Sequence, residues 1–203
     1  MDARRYDRDP MSVEEFLDWH QYQEERYELV QGTPVRMMAG ARQDHNVATM
    51  NVAAALLPFT RKRGCRTTSS DTAVRTVGGG VRYPDIVVDC GPADPSHLAA
   101  SEPVLVVEVA SPSTRDIDLV DKVDEYKAIQ SIIYVLLIEP AVINVTLHAR
   151  ENQGWRVSKF YYLDDEIELP ELGARLTVAS IYEDLSPEPR TVLQSVALDQ
   201  SQR

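Results

Sequence analysis

Cysteine is scarce: Cys65 and Cys90 are the only two in 203 residues, too few for a disulfide framework or a cysteine-based zinc site. That usage suits a reducing, cytoplasmic setting. Long apolar runs are missing too, and the longest, such as Ile132–Ile138, are far too short to span a bilayer. The N-terminal stretch MDARRYDRDP is charged and lacks the apolar core of a secretory signal. Positive charge is in short supply. Lys and Arg total 21 against 32 Asp and Glu, a formal charge of −11. A protein that grips nucleic acid mainly by electrostatics carries the opposite sign, so a histone-like or polybasic binder is excluded. An enzyme whose metal ions bring the local positive charge is not excluded. Internal repeats, low-complexity tracts and dividing linkers are likewise absent.

What is present suits one globular domain, with 43% hydrophobic and 26% charged residues and enough length to bury a core. Residues 1–11 and 187–203 read as tails around a domain at 12–186. Ser12 with Glu15 three residues on forms a capping box that opens a short helix through about Gln23. Tyr27–Val30 and Pro34–Met38, around Gln31-Gly32-Thr33, read as a hairpin. A helix from about Asp44 to Arg63 follows, stopped by Gly64. Strands are expected at Arg66–Thr76 and Val81–Val88, joined through a Gly78-Gly79-Gly80 turn. Val104–Val109 is nearly all apolar, as in the middle of a sheet covered on both faces. A helix at Leu119 to about Gln130 and a strand at Ile132–Ile138 come next. An antiparallel extension through Val142–His148, Trp155–Phe160 and the segment near Ile167 completes the chain. The class is α/β, a mixed β-sheet flanked by helices.

Three charged residues stand where the pattern calls for none. Glu108 interrupts the apolar run Val104–Val107, and an ionised carboxylate there is costly unless a cation or hydrogen-bond donor meets it. A structural ion pair to an arginine would also satisfy it. Asp85 opens the strand Ile86-Val87-Val88 directly after Pro84, a place where Asp often serves only turn geometry. On a helical wheel Lys122 falls on the buried arc with Val123, Tyr126, Ile129 and Ile133, the one clearly charged side chain aimed at the sheet. Snorkelling, or an Asp118–Lys122 pair at i,i+4 spacing, is the plainer account. Together the three make a compact metal-and-lysine constellation. Magnesium takes one or two carboxylates and keeps several waters, and a lysine beside it can orient a water or offset charge on a phosphoryl group.

The ordered series Tyr83-Pro84-Asp85, Glu108 to Thr114, then Asp118, Lys122 and Tyr126 resembles the PD-(D/E)XK nuclease superfamily, and within it the Uma-two family of restriction-endonuclease-like proteins. Arg26-Tyr27-Glu28-Leu29-Val30-x-Gly32, His45, Glu139-Pro140 and Leu169-Pro170-x-Leu172 resemble the same family's flanking segments. The resemblance runs from about Val13 to Leu185. It implies a metal-dependent endonuclease with the restriction-endonuclease-like fold, acting on nucleic acid, DNA above all, and commonly homodimeric. It implies Mg²⁺ or Mn²⁺ held by Asp85, Glu108 and the main-chain carbonyl of Val109, with Glu28 as a further acid. The superfamily's lysine stands two residues after the Glu, where this chain has Ala110; Lys122 matches a lysine relocated to the packing helix. The family's Glu-Tyr-Trp segment reads Ile133-Tyr134-Val135 here, after Ser131-Ile132.

The remaining candidates have ordinary alternatives. Glu28 fits an exposed hairpin position as well as a metal shell. His45 near a helix start could be a base, a phosphate contact or a plain surface residue. Ser111, Ser113 and Thr114 suit turn and capping roles. Gly78-Gly79-Gly80 lacks the following helix of a phosphate loop. Arg61-Lys62-Arg63 with Arg66 is the only basic cluster, a nucleic-acid contact or a solvated helix end. Trp155 and Tyr161-Tyr162 suit a core or a subunit interface. The opposing expectation is a non-catalytic restriction-endonuclease-like fold that binds nucleic acid or assembles with partners.

Overall fold

The computed structural model describes residues 9–37, 40–110 and 116–189. Helix α1 (Val13–His20) begins at the expected capping box: Glu15 N–H donates to the Ser12 hydroxyl, and the Glu15 carboxylate takes the Ser12 N–H. It packs on the hairpin β1 (Tyr27–Val30) and β2 (Thr33–Arg36). Helix α2 (Gln43–Lys62) buries Ala48, Val52, Leu56 and Thr60, every fourth residue, so one narrow stripe faces the core. Next come β3 (Arg66–Ser69), β4 (Val74–Arg75), β5 (Val81–Arg82), β6 (Ile86–Asp89) and β7 (Pro103–Val109). Helix α3 (Asp116–Ala128) connects β7 to β8 (Tyr134–Glu139). The chain ends in β9 (Asn144–Glu151), β10 (Gly154–Phe160), β11 (Glu166–Leu169), β12 (Ala174–Thr177) and α4 (Val178–Ile181).

Two sheets carry the architecture. The larger has the order β10-β9-β8-β7-β6-β3, and it is mixed: β7 and β8 run parallel across the α3 crossover, the other neighbours antiparallel. The smaller has the order β2-β1-β5-β4. Leu105, Val107 and Val109 of β7 face the α2 side, while Val106 joins Val123 and Tyr126 of α3. Both faces of the central strand are thus covered, which is why its sequence does not alternate.

The two long strands expected at Arg66–Thr76 and Val81–Val88 are each broken in two. The first splits between β3 and β4, where Asp71 N–H and Thr72 N–H turn back on the Ser69 carbonyl. The second splits at Tyr83-Pro84-Asp85, with β5 in the small sheet and β6 in the large one. Pro84 offers no N–H to a ladder and disfavours continued pairing. The glycine turn does close β4 on β5, and Gly80 sits where a Cβ would meet the Leu29 carbonyl at 2.6 Å. At the other end of the chain Glu188 still pairs with the β8–β9 turn, exchanging hydrogen bonds with Ala141 and Ile143.

Cys65 and Cys90 are joined as a disulfide, which corrects the expectation of two thiols. The register Arg66↔Asp89 sets them opposite one another at the edge of the sheet. The link closes a 25-residue separation, worth roughly 3 kcal/mol through the unfolded chain. No helix among the described residues is long and apolar enough to cross a membrane.

One stability prediction arises on β9. His148 lies half-buried on β9, paired with Val135 of β8, its Nδ1 without a hydrogen-bond partner among the described residues. Burial, and then the Lys127 charge, pushes it down to about 4. The unfolded chain therefore binds this proton more readily between about pH 6.5 and 4, and acidification favours unfolding. From pH 7 to 5 the protein should lose about 1 kcal/mol on this account, after discounting for solvent at a half-buried ring. Urea midpoints at the two pH values should differ less in His148→Leu than in the wild type; equal differences would remove His148 from the effect.

Candidate active site

The antiparallel register between β6 and β7 pairs Ile86 with Val107, and one further step sets Asp85 opposite Glu108. Glu108 projects from the α3 face, where Tyr126 meets it, and Asp85, just before β6, is reached by His45 from α2. The Val109 N–H donates to Asp85 Oδ2 at 2.8 Å, which fixes the aspartate at the strand entrance. His45, in the first turn of α2, places Nε2 3.2 Å from the same oxygen. Its pKa is raised, first by the hydrogen bond to Asp85, against the opposing effect of burial. Its Nδ1 is buried without a hydrogen-bond partner among the described residues.

Glu108 is 8% exposed and receives the Tyr126 hydroxyl at 2.6 Å. Burial pushes its carboxyl up to about 7; the Lys122 charge opposes that shift and the Asp85 charge reinforces it. Like charges placed opposite each other across a ladder repel, so the strand pairing itself contributes to the shift. Lys122 is 7% exposed, on the buried side of α3 where the wheel sets it. Its Nζ lies 2.9 Å from Glu28 Oε1.

The small sheet supplies the rest. Leu29 pairs with Val81, and one step along that register sets Glu28 opposite Arg82. Glu28 is buried rather than exposed on its hairpin, with Oε2 2.8 Å from Arg82 Nη1 and Oε1 accepting from the Tyr83 N–H at 3.4 Å. Arg82, 3% exposed, also donates from Nε and Nη2 to the two Glu125 oxygens, each at 2.8 Å. Burial works against its charge, and the two carboxylates more than offset this, so its pKa sits above the ordinary arginine value.

Asp85, Glu108, Val109, Lys122, Glu28 and His45 therefore meet in one region, where α2, α3 and both sheets converge. The sequence did not single out Arg82, and its helical wheel sets Glu125 with Asp121, Asp124, Lys127 and Ala128 on the side opposite the apolar arc. A signal existed for the first: an arginine in the apolar-edged Val81-Arg82-Tyr83 strand, three residues before the aspartate. Other candidates lie elsewhere. Arg61–Arg63 occupy the far end of α2, about 25 Å from His45 at the helical rise, and Arg63 donates to the Pro170 carbonyl. Arg66 is spent on Asp89 and the Gly91 carbonyl. Trp155 lies under the Arg150 guanidinium at 4.5 Å, and Tyr162 is exposed. Ser111, Ser113, Thr114 and the Asp118 side chain lie outside the described residues.

A family model described as "Uma2: Putative restriction endonuclease" matches residues 13–179. The chain belongs to the Uma2 family. A relative from Synechocystis sp., itself an uncharacterized protein, is 28% identical over 178 residues, covering 87% of this chain and 93% of its own. The crystal structure of an Anabaena variabilis protein, described as "a putative nuclease belonging to DUF820", superposes with a TM-score of 0.68 at 17% identity. That likeness covers 86% of this Uma2 chain and 98% of the other, and with the family match it shows the restriction-endonuclease-like fold. The Uma2 match spans every residue of the cluster, from Glu28 to Tyr126.

Proposed function

We propose that this Uma2 protein is a divalent-metal-dependent endonuclease that hydrolyses phosphodiester bonds in DNA. The observation that supports it most is Asp85 set opposite Glu108, with the buried Lys122 amine on the same side of the sheet. The donor set fits Mg²⁺ or Mn²⁺. Among the described residues no three His, Cys, Asp or Glu side chains are gathered tightly enough to hold an ion alone. Two carboxylates, the Val109 carbonyl and waters are the kind of shell that magnesium accepts. Charge agrees with this. Glu28, Arg82, Glu125 and Lys122 offset one another, whereas Asp85 and Glu108 bring two negative charges to one spot. Burial raises Glu108 most and the Asp85 charge adds to it against Lys122, and a cation between the two carboxylates would oppose both effects.

When bound, such an ion polarises a phosphoryl oxygen and lowers the pKa of a coordinated water. This chain's own residues do the remainder. Asp85, held by the Val109 N–H, and Glu108, held by Tyr126, present fixed oxygens that need no reorganisation. Lys122 donates toward the attacking water and offsets charge as it grows on the phosphoryl group. Glu28 supports that shell through Lys122. His45 orients Asp85 from the α2 side. Two copies would bring two such sites to the two strands of a duplex, by analogy with the fold.

The test is supercoiled plasmid, single-stranded DNA and RNA at low salt with Mn²⁺, Mg²⁺ or EDTA, beside Lys122→Ala. Metal-dependent nicking should appear and fall about 100-fold or more in the variant, the scale of one lost electrostatic stabiliser. Inactivity on all three substrates, with no thermal stabilisation by either metal, would leave a non-catalytic module instead.

A further inference from the structure

Lysine has a flexible four-carbon stem, and its ammonium must be held if it is to meet a reacting group in one place. On a strand the backbone would do much of that. Here the strand position carries Ala110, and the amine comes from a helix that packs on the large sheet. Lys122 reaches Glu28 on β1, Glu28 reaches Arg82 on β5, and Arg82 returns to Glu125 on α3. Glu125 lies three residues beyond Lys122, so the contacts close a ring that pins α3 to the small sheet at two points. The guanidinium is a rigid planar fork, and its bidentate hold on Glu125 fixes where Nη1 meets Glu28. Tyr83 and Pro84 alone separate Arg82 from Asp85, so the same strand exit carries the clamp and the aspartate.

We infer that Arg82 and Glu125 are positioning residues that act through Glu28 to set the Lys122 amine against the Asp85–Glu108 pair, making the small N-terminal sheet part of the active site. This rests on the nuclease reading for its kinetic consequences, though not for the placement of Lys122. Lys122 and Glu28 act on the Glu108 charge, whereas Glu125 reaches the pair through Arg82, so metal affinity should respond little to a change at Glu125.

Glu125 is the better probe because its side chain is one-third exposed, whereas Arg82 is buried and its replacement endangers folding. In Glu125→Ala, kcat should fall about tenfold, the cost of a loosened reacting group, with KM and the Mn²⁺ titration midpoint within about twofold of wild type. Glu125→Gln, which retains one acceptor for the fork, should recover part of the loss. An activity-independent arm follows acylation of Lys122 by an amine-reactive ester, read by peptide mass spectrometry. Lys122 should be modified at least about tenfold faster in Glu125→Ala than in the folded wild type. A kcat within twofold of wild type, or unchanged Lys122 labelling, overturns the inference. Wild-type protein that cuts nothing, yet shows the labelling difference, overturns the nuclease reading and keeps the positioning ring.

Discussion

Asp85→Asn should abolish metal-dependent cleavage, by about 100-fold or more, while the melting temperature stays close to that of the wild type. The substitution is nearly isosteric, and the Asn carbonyl can still accept the Val109 N–H that now ends on Oδ2. What disappears is a negative charge set opposite Glu108. That charge repels the buried Glu108 carboxylate but also holds the His45 imidazole at 3.2 Å, so its two effects on the metal-free fold oppose each other. Losing it should disable the site and leave the stability of the fold close to wild type, a combination that a structural aspartate would not give. Calorimetric titration with Mn²⁺ checks the first half and a thermal melt the second. Glu108→Gln should behave alike, since its amide oxygen can keep the Tyr126 hydrogen bond. Cleavage by Asp85→Asn within tenfold of wild type would remove Asp85 from the mechanism.

What the sequence could reveal followed the reach of its patterns. Periodicity within one element was enough to place Lys122 on the buried arc and to read β7 as a strand covered on both sides. It was also enough for the capping box at Ser12, which is a matter of three-residue spacing. Properties of two strands at once stayed hidden. That Asp85 stands opposite Glu108, Glu28 opposite Arg82 and Cys65 opposite Cys90 is a matter of register, which a single strand does not encode. The break at Pro84 was hidden for a related reason. The apolar ends of Val81 to Val88 let it pass for one strand despite Arg82, Pro84 and Asp85 in its middle, and only the pairing partners show that β5 and β6 belong to different sheets. Glu125 illustrates the same limit on a helix. The wheel puts it away from the apolar arc, and that is correct for the large sheet. It says nothing of a second sheet whose arginine approaches from the side.

That second sheet makes Glu28 the position where the largest loss of stability is expected. Glu28→Ala should lower unfolding free energy by about 3–5 kcal/mol, the range found when one partner of a buried ion pair is deleted. For a domain of this size that is a fall of roughly 10 °C in melting temperature. The reason is the company Glu28 keeps: both oxygens are engaged, by Arg82 on one side and Lys122 and the Tyr83 N–H on the other. Removing it strips two buried cations of the carboxylate they share, leaving Glu125 to answer Arg82 and the Glu108 charge to act on Lys122. The exposed Glu14–Arg75 pair, of similar length at 2.6 Å, gives the contrast. Glu14→Ala should leave the melting temperature almost unchanged, because water already solvates both partners. Glu28→Gln separates charge from shape: it can accept from Arg82 and donate elsewhere, but it no longer neutralises Lys122. If Gln restores most of the stability and none of the cleavage, Glu28 matters to folding through its hydrogen bonds and to catalysis through its charge. Equal melting temperatures for Glu28→Ala and wild type would mean that water reaches both cations, and the small sheet would then have no hold on the lysine.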